Sequence, residues 1–98
     1  MNKIYVVSYD FKGSPAAYPA FFEELKCFPA WCHYLDGTWL VATDLSSKAI
    51  FNRLRPHLDE NVNVLILEAA GDFSGWLPKK AWEWIQQHTA ERTAVKAG

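Results

Sequence analysis

The spacing of apolar positions changes several times along the chain, and each change marks an element. β-Branched and aromatic side chains crowd Ile4 to Tyr9 and end on Asp10. They predict a buried first strand over 3–9 that delivers a carboxylate to its own exit. A loop is expected over 10–17, punctuated by Gly13 and Pro15. From Tyr18 the period lengthens: Tyr18, Phe21, Phe22, Leu25 and Phe28 form one apolar stripe of a helix. Pro19 suits the first turn of that helix, and Pro29 stops it. Two β-prone runs, 31–35 and 38–43, flank Asp36-Gly37. The pair suits a two-residue type I′ hairpin, in which both central residues take positive φ.

A second helix is expected over 47–55, with Ser46 as N-cap and Leu45 stapled onto Ile50. Ile50 and Leu54 give its buried face, and Pro56 is expected to push Arg55 out of helical geometry. Asp59-Glu60-Asn61 reads as a polar turn. Residues 63–68 read as the last strand, apolar on both faces and therefore central. A loop is expected over 71–75. Pro78 opens a third helix to about His88, with Leu77, Ala81, Ile85 and His88 on one stripe and Trp84 beside it. Residues 89–98 show no pattern and are expected as a disordered tail to a single domain over 1–88.

Strand, helix, strand, strand, helix, strand and a further helix is the order of an α+β, ferredoxin-like βαββαβ sandwich with an additional C-terminal helix. Right-handed crossovers place four antiparallel strands in one sheet with helices on one face. The other face is expected to be bare, and a homodimer is the natural way to cover it.

Composition narrows the class. Half the 98 residues are hydrophobic, so a core needs neither disulfides nor metal. The formal net charge of −1 gives no strongly basic footprint for nucleic acid, although a local patch is compatible with it. Cys27 and Cys32 are not spaced as a CxxC pair and read as two reduced, buried thiols. The N-terminal apolar run is too short for a signal peptide, and no run approaches the ~18 residues of a membrane helix. A cytoplasmic protein with no membrane partner is expected. Five Trp are many for this length, and some are expected at an oligomer interface: Trp31, Trp39 and Trp76 are the candidates.

Asp10 is the first candidate for chemistry. In the expected topology it lies near Gly37 and Thr38, with the hydroxyls of Ser8 and Ser14 in reach. Two copies of Asp10 brought together by dimerisation would suit Mg²⁺ or Mn²⁺, with waters and a substrate phosphate completing the shell. The plainer alternative is an Asx-turn. His33 is the candidate acid–base residue, against packing within its strand. His57 and His88 fall at helix ends, where a positive charge suits the dipole. Arg53, Arg55, Lys79 and Lys80, with His57, are candidates for a phosphate-binding patch, against a solvated helix face. Trp76, Trp82 and Trp84 either stack bases or pack at helical spacing. Gly71 and Gly75 carry no phosphate-loop pattern. The second hairpin strand lacks the stacking signature of an RNA-recognition motif.

Three stretches resemble a known family: Ile4-Tyr5-Val6-Val7-Ser8-Tyr9-Asp10, the run from Trp31 to Val41 through Asp36-Gly37, and Gly75-Trp76-Leu77-Pro78. They are similar to small bacterial and phage proteins of the SinR-like family, relatives of the CRISPR-associated adaptation subunit and of virulence-associated protein D. The resemblance spans roughly 3–88. It implies a ferredoxin-like homodimer in which Asp10 faces its mate and serves metal-dependent nuclease activity. The second-strand pattern of the adaptation subunit and the basic surface of DNA-bridging members are absent here. The leading expectation is a homodimeric protein associated with RNA or DNA, cleaving it with a divalent metal at Asp10. The alternative is a non-catalytic, architectural or regulatory module that docks another protein through Trp-rich surfaces. A third reading is a small-molecule site lined by His33 and aromatic residues.

Overall fold

Phe11 extends the apolar alternation of the first strand by two residues, so strand β1 runs Lys3–Phe11 rather than stopping at Tyr9. The computed structural model describes residues 2–11, 17–59, 62–69 and 73–97, with side chains described as far as His88. The expectations for Gly13, Ser14 and Pro15, and for residues 60–61 and 70–72, lie outside the described residues.

Helix α1 (Pro19–Leu25) opens on Pro19 as expected, where the missing N–H is harmless. It ends before Pro29, through a turn in which Lys26 N–H donates to the Phe22 carbonyl. Strands β2 (Ala30–Leu35) and β3 (Thr38–Thr43) form the hairpin. The turn between them is not type I′. Gly37 has φ of +75°, and among the described residues no non-glycine has positive φ, so Asp36 keeps ordinary backbone geometry. The pairing shifts register between Cys32 and Leu35 instead. A bulge of this kind re-aims side chains and sharpens twist, and it removes the need for Asp36 to take a costly left-handed conformation.

Helix α2 (Ser47–Leu54) is capped as expected: the Ser46 hydroxyl accepts from Ala49 N–H at 3.1 Å. Arg55 departs from expectation. Its backbone remains helical, and the chain tightens into a 3₁₀ turn over Arg55–His57 that admits Pro56 in its first turn. Proline tolerates that position because the N–H it lacks has no acceptor there. Strand β4 (Val62–Glu68) follows, then helix α3 (Lys79–Ala97). The helix continues past His88, where a tail was expected. Ala90, Glu91, Arg92, Ala94 and Lys96 are good helix formers, although they add no apolar stripe.

The sheet is antiparallel with strand order β2-β3-β1-β4. The protein is therefore α+β, with a four-stranded antiparallel sheet and three α-helices among the described residues. Strand β4 is an edge, not the central strand its two apolar faces implied. Leu65 and Leu67 are accordingly 60% and 44% exposed.

Alternation divides the sheet into two faces. Tyr5 and Val7 of β1 and Trp39 and Val41 of β3 face α1 and α2. There they bury Phe21, Leu25, Ile50 and Leu54. Glu24 links the two helices. Its Oε2 accepts from Arg53 Nε at 3.0 Å and Nη2 at 2.6 Å, and Oε1 lies 3.5 Å from His57. The Arg53 guanidinium also lies over the Phe28 ring at 4.3 Å. The second face is not wholly bare. Helix α3 crosses β2, β3 and β1 on this face, burying Ala81 and Ile85 and lining a cavity of about 200 Å³ with Val6, Cys32, Leu40 and Leu77. The outer strand β4 stays exposed at Leu65 and Leu67. Cys32 is buried as expected, whereas Cys27 is exposed at the end of α1; both thiols are free.

Candidate functional site

At the exit of β1 the hairpin turn closes onto the strand. Tyr9 N–H donates to the Gly37 carbonyl at 2.9 Å. The approach is close: a Cβ on Gly37 would stand 3.1 Å from the Tyr9 carbonyl oxygen, and the positive φ there already favours glycine. This contact carries Asp36 to the end of β1.

The result is a cleft of about 500 Å³. Its aromatic walls are Tyr9, Phe11 and Phe22, and its polar groups are Asp10, His33 and Asp36, with Gly37 at its base. Tyr9 and Phe11 stack at 4.7 Å, and Phe22 meets both edge-on. Behind them Trp39 is buried, and its indole N–H donates to the Tyr9 hydroxyl at 2.9 Å. His33 stacks on Trp39 with ring centroids 4.3 Å apart and planes 14° from parallel.

The electrostatics follow from this packing. Burial pushes the Tyr9 phenol above its ordinary value; the Trp39 bond opposes the shift and the Asp36 charge adds to it. Partial burial holds His33 below the ordinary imidazole range, although much of its side chain stays exposed on β2. Asp36 and a hydrogen bond to the Leu35 backbone oppose that shift, while Lys26 reinforces it. The neutral imidazole at pH 7 is a proton acceptor. Burial also raises the Cys32 thiol, which marks it as unreactive.

Asp10 belongs to two surfaces. It lines the cleft, and with Ser8, Asn63 and Leu65 it also lines a groove of about 250 Å³ beside β4. Asn63 is its register partner across the β1–β4 pair. On the neighbouring strand the Ser8 hydroxyl lies 3.5 Å from that of Thr38. Among the described residues no group of three or more His, Cys, Asp and Glu is placed to hold a metal ion. Asp10 and Asp36 are the two carboxylates one chain brings to this end of β1, too few by themselves for a hard divalent cation.

The other candidates separate. Asp10 and His33 line one cleft, but the basic residues do not converge. Arg53 is engaged by Glu24, and Arg55 is exposed at the end of α2. Lys79 and Lys80 open α3, on the opposite side of the sheet, and Lys79 reaches Glu83 at 4.0 Å. Trp39 is 2% exposed and belongs to the core, so it offers no interface surface. Trp31 is 40% exposed, its ring under Lys26, and Trp76 is fully exposed. Trp84 packs on His88, whose Nδ1 lies 2.8 Å from the Trp84 carbonyl. Among the described residues, no helix is long and apolar enough to cross a membrane.

Sequence reasoning missed Tyr9, Phe11, Phe22 and Asp36 as lining residues. Phe11 was in view only as loop, Phe22 as helix stripe and Asp36 as turn former; nothing local joins them. No family model, curated protein or solved structure matches this chain.

Proposed function

We propose that the protein is a ferredoxin-like homodimer associated with nucleic acid, in which Asp10 from each of two copies serves a divalent-metal-dependent nuclease site. The observation that carries this reading is the position of Asp10: exposed near the end of β1, sharing a groove with Asn63 and the exposed Leu65 of the edge strand β4. Pairing two such edges would cover Leu65 and Leu67 and bring a second copy of Asp10 to the site. When bound, Mg²⁺ or Mn²⁺ supplies charge for a phosphate oxygen and a water of lowered pKa. The strand order is compatible with the ferredoxin-like sandwich this requires.

The test is cleavage of labelled single- and double-stranded RNA and DNA with Mg²⁺ or Mn²⁺, using wild type and Asp10→Asn matched for dimer content. Metal-dependent cleavage lost in Asp10→Asn is the expected result, with a fall of at least about 10²-fold. Cleavage that survives in the variant overturns the role of Asp10. Absence of cleavage by either overturns the enzyme and leaves the non-catalytic interaction module.

One observation favours a second reading, a small-molecule site: the aromatic cleft places His33 and two carboxylates around a volume suited to a ligand.

A further inference from the structure

Helix α3 meets the sheet through small side chains. Ala81 and Cys32 are both buried, and both line the gap between helix and sheet. Longer residues surround them: Val6 and Leu40 from the sheet, Leu77 and Ile85 from the helix side. Branched side chains around two short ones leave a cavity of about 200 Å³. Protein interiors seldom keep a void of that size, because the atoms lining it lose their packing partners. The cavity also has a way in. Tyr34, Leu35 and Ser74 line it and are exposed, so it reaches solvent beside the hairpin. Among the described residues it shares no lining side chain with the cleft at the exit of β1.

Size and lining together define what fits. The volume is below that of sites for drug-sized ligands, and apolar cavities of about 150 Å³ stay dry yet take up benzene. A charged ligand would surrender its hydration to walls of Val6, Leu40, Leu77 and Ile85, whose side chains return no hydrogen bond. A neutral apolar molecule gives up no hydrogen bonds there and gains the dispersion contacts that the lining atoms lack. We infer that this cavity is a binding site for a small neutral apolar molecule about the size of a single aromatic ring. It enters past Tyr34 and Leu35 and is seated against Ala81 and Cys32.

The experiment titrates toluene and benzylamine, the latter protonated at pH 7, into the full chain and follows the backbone amides by NMR. Toluene should saturate, shift the amides of Leu40, Ala81 and Ile85, and bind about tenfold tighter than benzylammonium or more. Ala81→Leu, a change between two strong helix formers, and Cys32→Leu put a branched side chain into the space from either side. Each should abolish the toluene shifts, with the thermal midpoint held or raised as the void is filled. No saturable binding of toluene, or binding undiminished in both filled variants, would overturn the site. A thermal midpoint lowered by more than about 5 °C in both variants would show that no free space lies there, and would overturn it too. Benzylammonium binding as tightly as toluene would overturn the neutral class of ligand. None of these outcomes involves Asp10, metal or cleavage, so the nuclease reading is decided independently.

Discussion

Trp39 shows how much one side chain can organise. It is buried in the core, donates to the Tyr9 hydroxyl and carries the His33 ring on its face. Trp39→Ala removes the packing, the hydrogen bond and the support of His33 together. It should cost roughly 3–5 kcal/mol in urea unfolding; a loss under about 1 kcal/mol would contradict this packing. Two groups also predict how stability depends on pH. Hydrogen bonding from Arg53 holds Glu24 below the ordinary carboxylate range, with burial opposing and His57 assisting. Its contribution is therefore present above the unfolded value of about 4.3 and is lost as pH falls through the folded one. Burial lowers His33, so folding favours the neutral ring. That contribution is present above about pH 6.5 and is lost as pH falls toward the folded value. An imidazole proton titration by NMR should place His33 below 6.5, and Glu24→Gln should flatten the acid limb of the stability curve. A His33 midpoint above 6.5 would mean that the Asp36 charge outweighs the partial burial of the ring.

Elements were legible where the signal was local. The α1 stripe, the Ser46 cap and the Asp36-Gly37 hairpin all depend on residues within a turn or two of each other, and all three form. The details that differ are set by partners distant in sequence. The turn avoids type I′ geometry because a register shift in β2 absorbs the twist. Strand β4 reads as central because Leu65 and Leu67 are apolar, yet it forms the edge. Helix α3 is anchored through Ala81 and Ile85, with Leu77 leading into it, and its last turns extend beyond those anchors. Truncation after His88 should accordingly shift Tm by less than about 3 °C. Ile85→Ala should destabilise by about 2–5 kcal/mol, because it empties the contact under the helix. A large shift on truncation would mean that the final turns pack on the domain.

For the whole molecule, the decisive fact is that α3 crosses β2, β3 and β1 on one sheet face and leaves the edge strand β4 exposed. A fully bare face would leave every outward strand residue to a partner; here Leu65 and Leu67 remain, with Asp10 near the adjoining end of β1. The proposed dimer and the proposed metal site both rest on that edge. Leu65→Lys places a charge on it. Light scattering should show a dimer for the wild type and a monomer for this variant, with little change in thermal midpoint, because Leu65 packs against little within one chain. A wild-type monomer at high concentration would overturn the dimer, and an unaltered dimer in the variant would move the interface to the exposed Trp31 or Trp76.

What the sequence determined by itself is the set of elements and the carboxylate at the end of the first strand. Periodicity, caps and turn residues act over a few residues, and the chain carries them in plain order. Only the tertiary structure decided what those elements bring together. Asp36 became a lining residue because Gly37 lets the turn close on Tyr9; Phe22 joined Phe11 because α1 lies across β1. Arg53 left the basic patch because Glu24, twenty-nine residues away in sequence, faces it across the helix pair. Long-range packing sets which polar groups share a cleft, and packing on this scale leaves no period in the sequence.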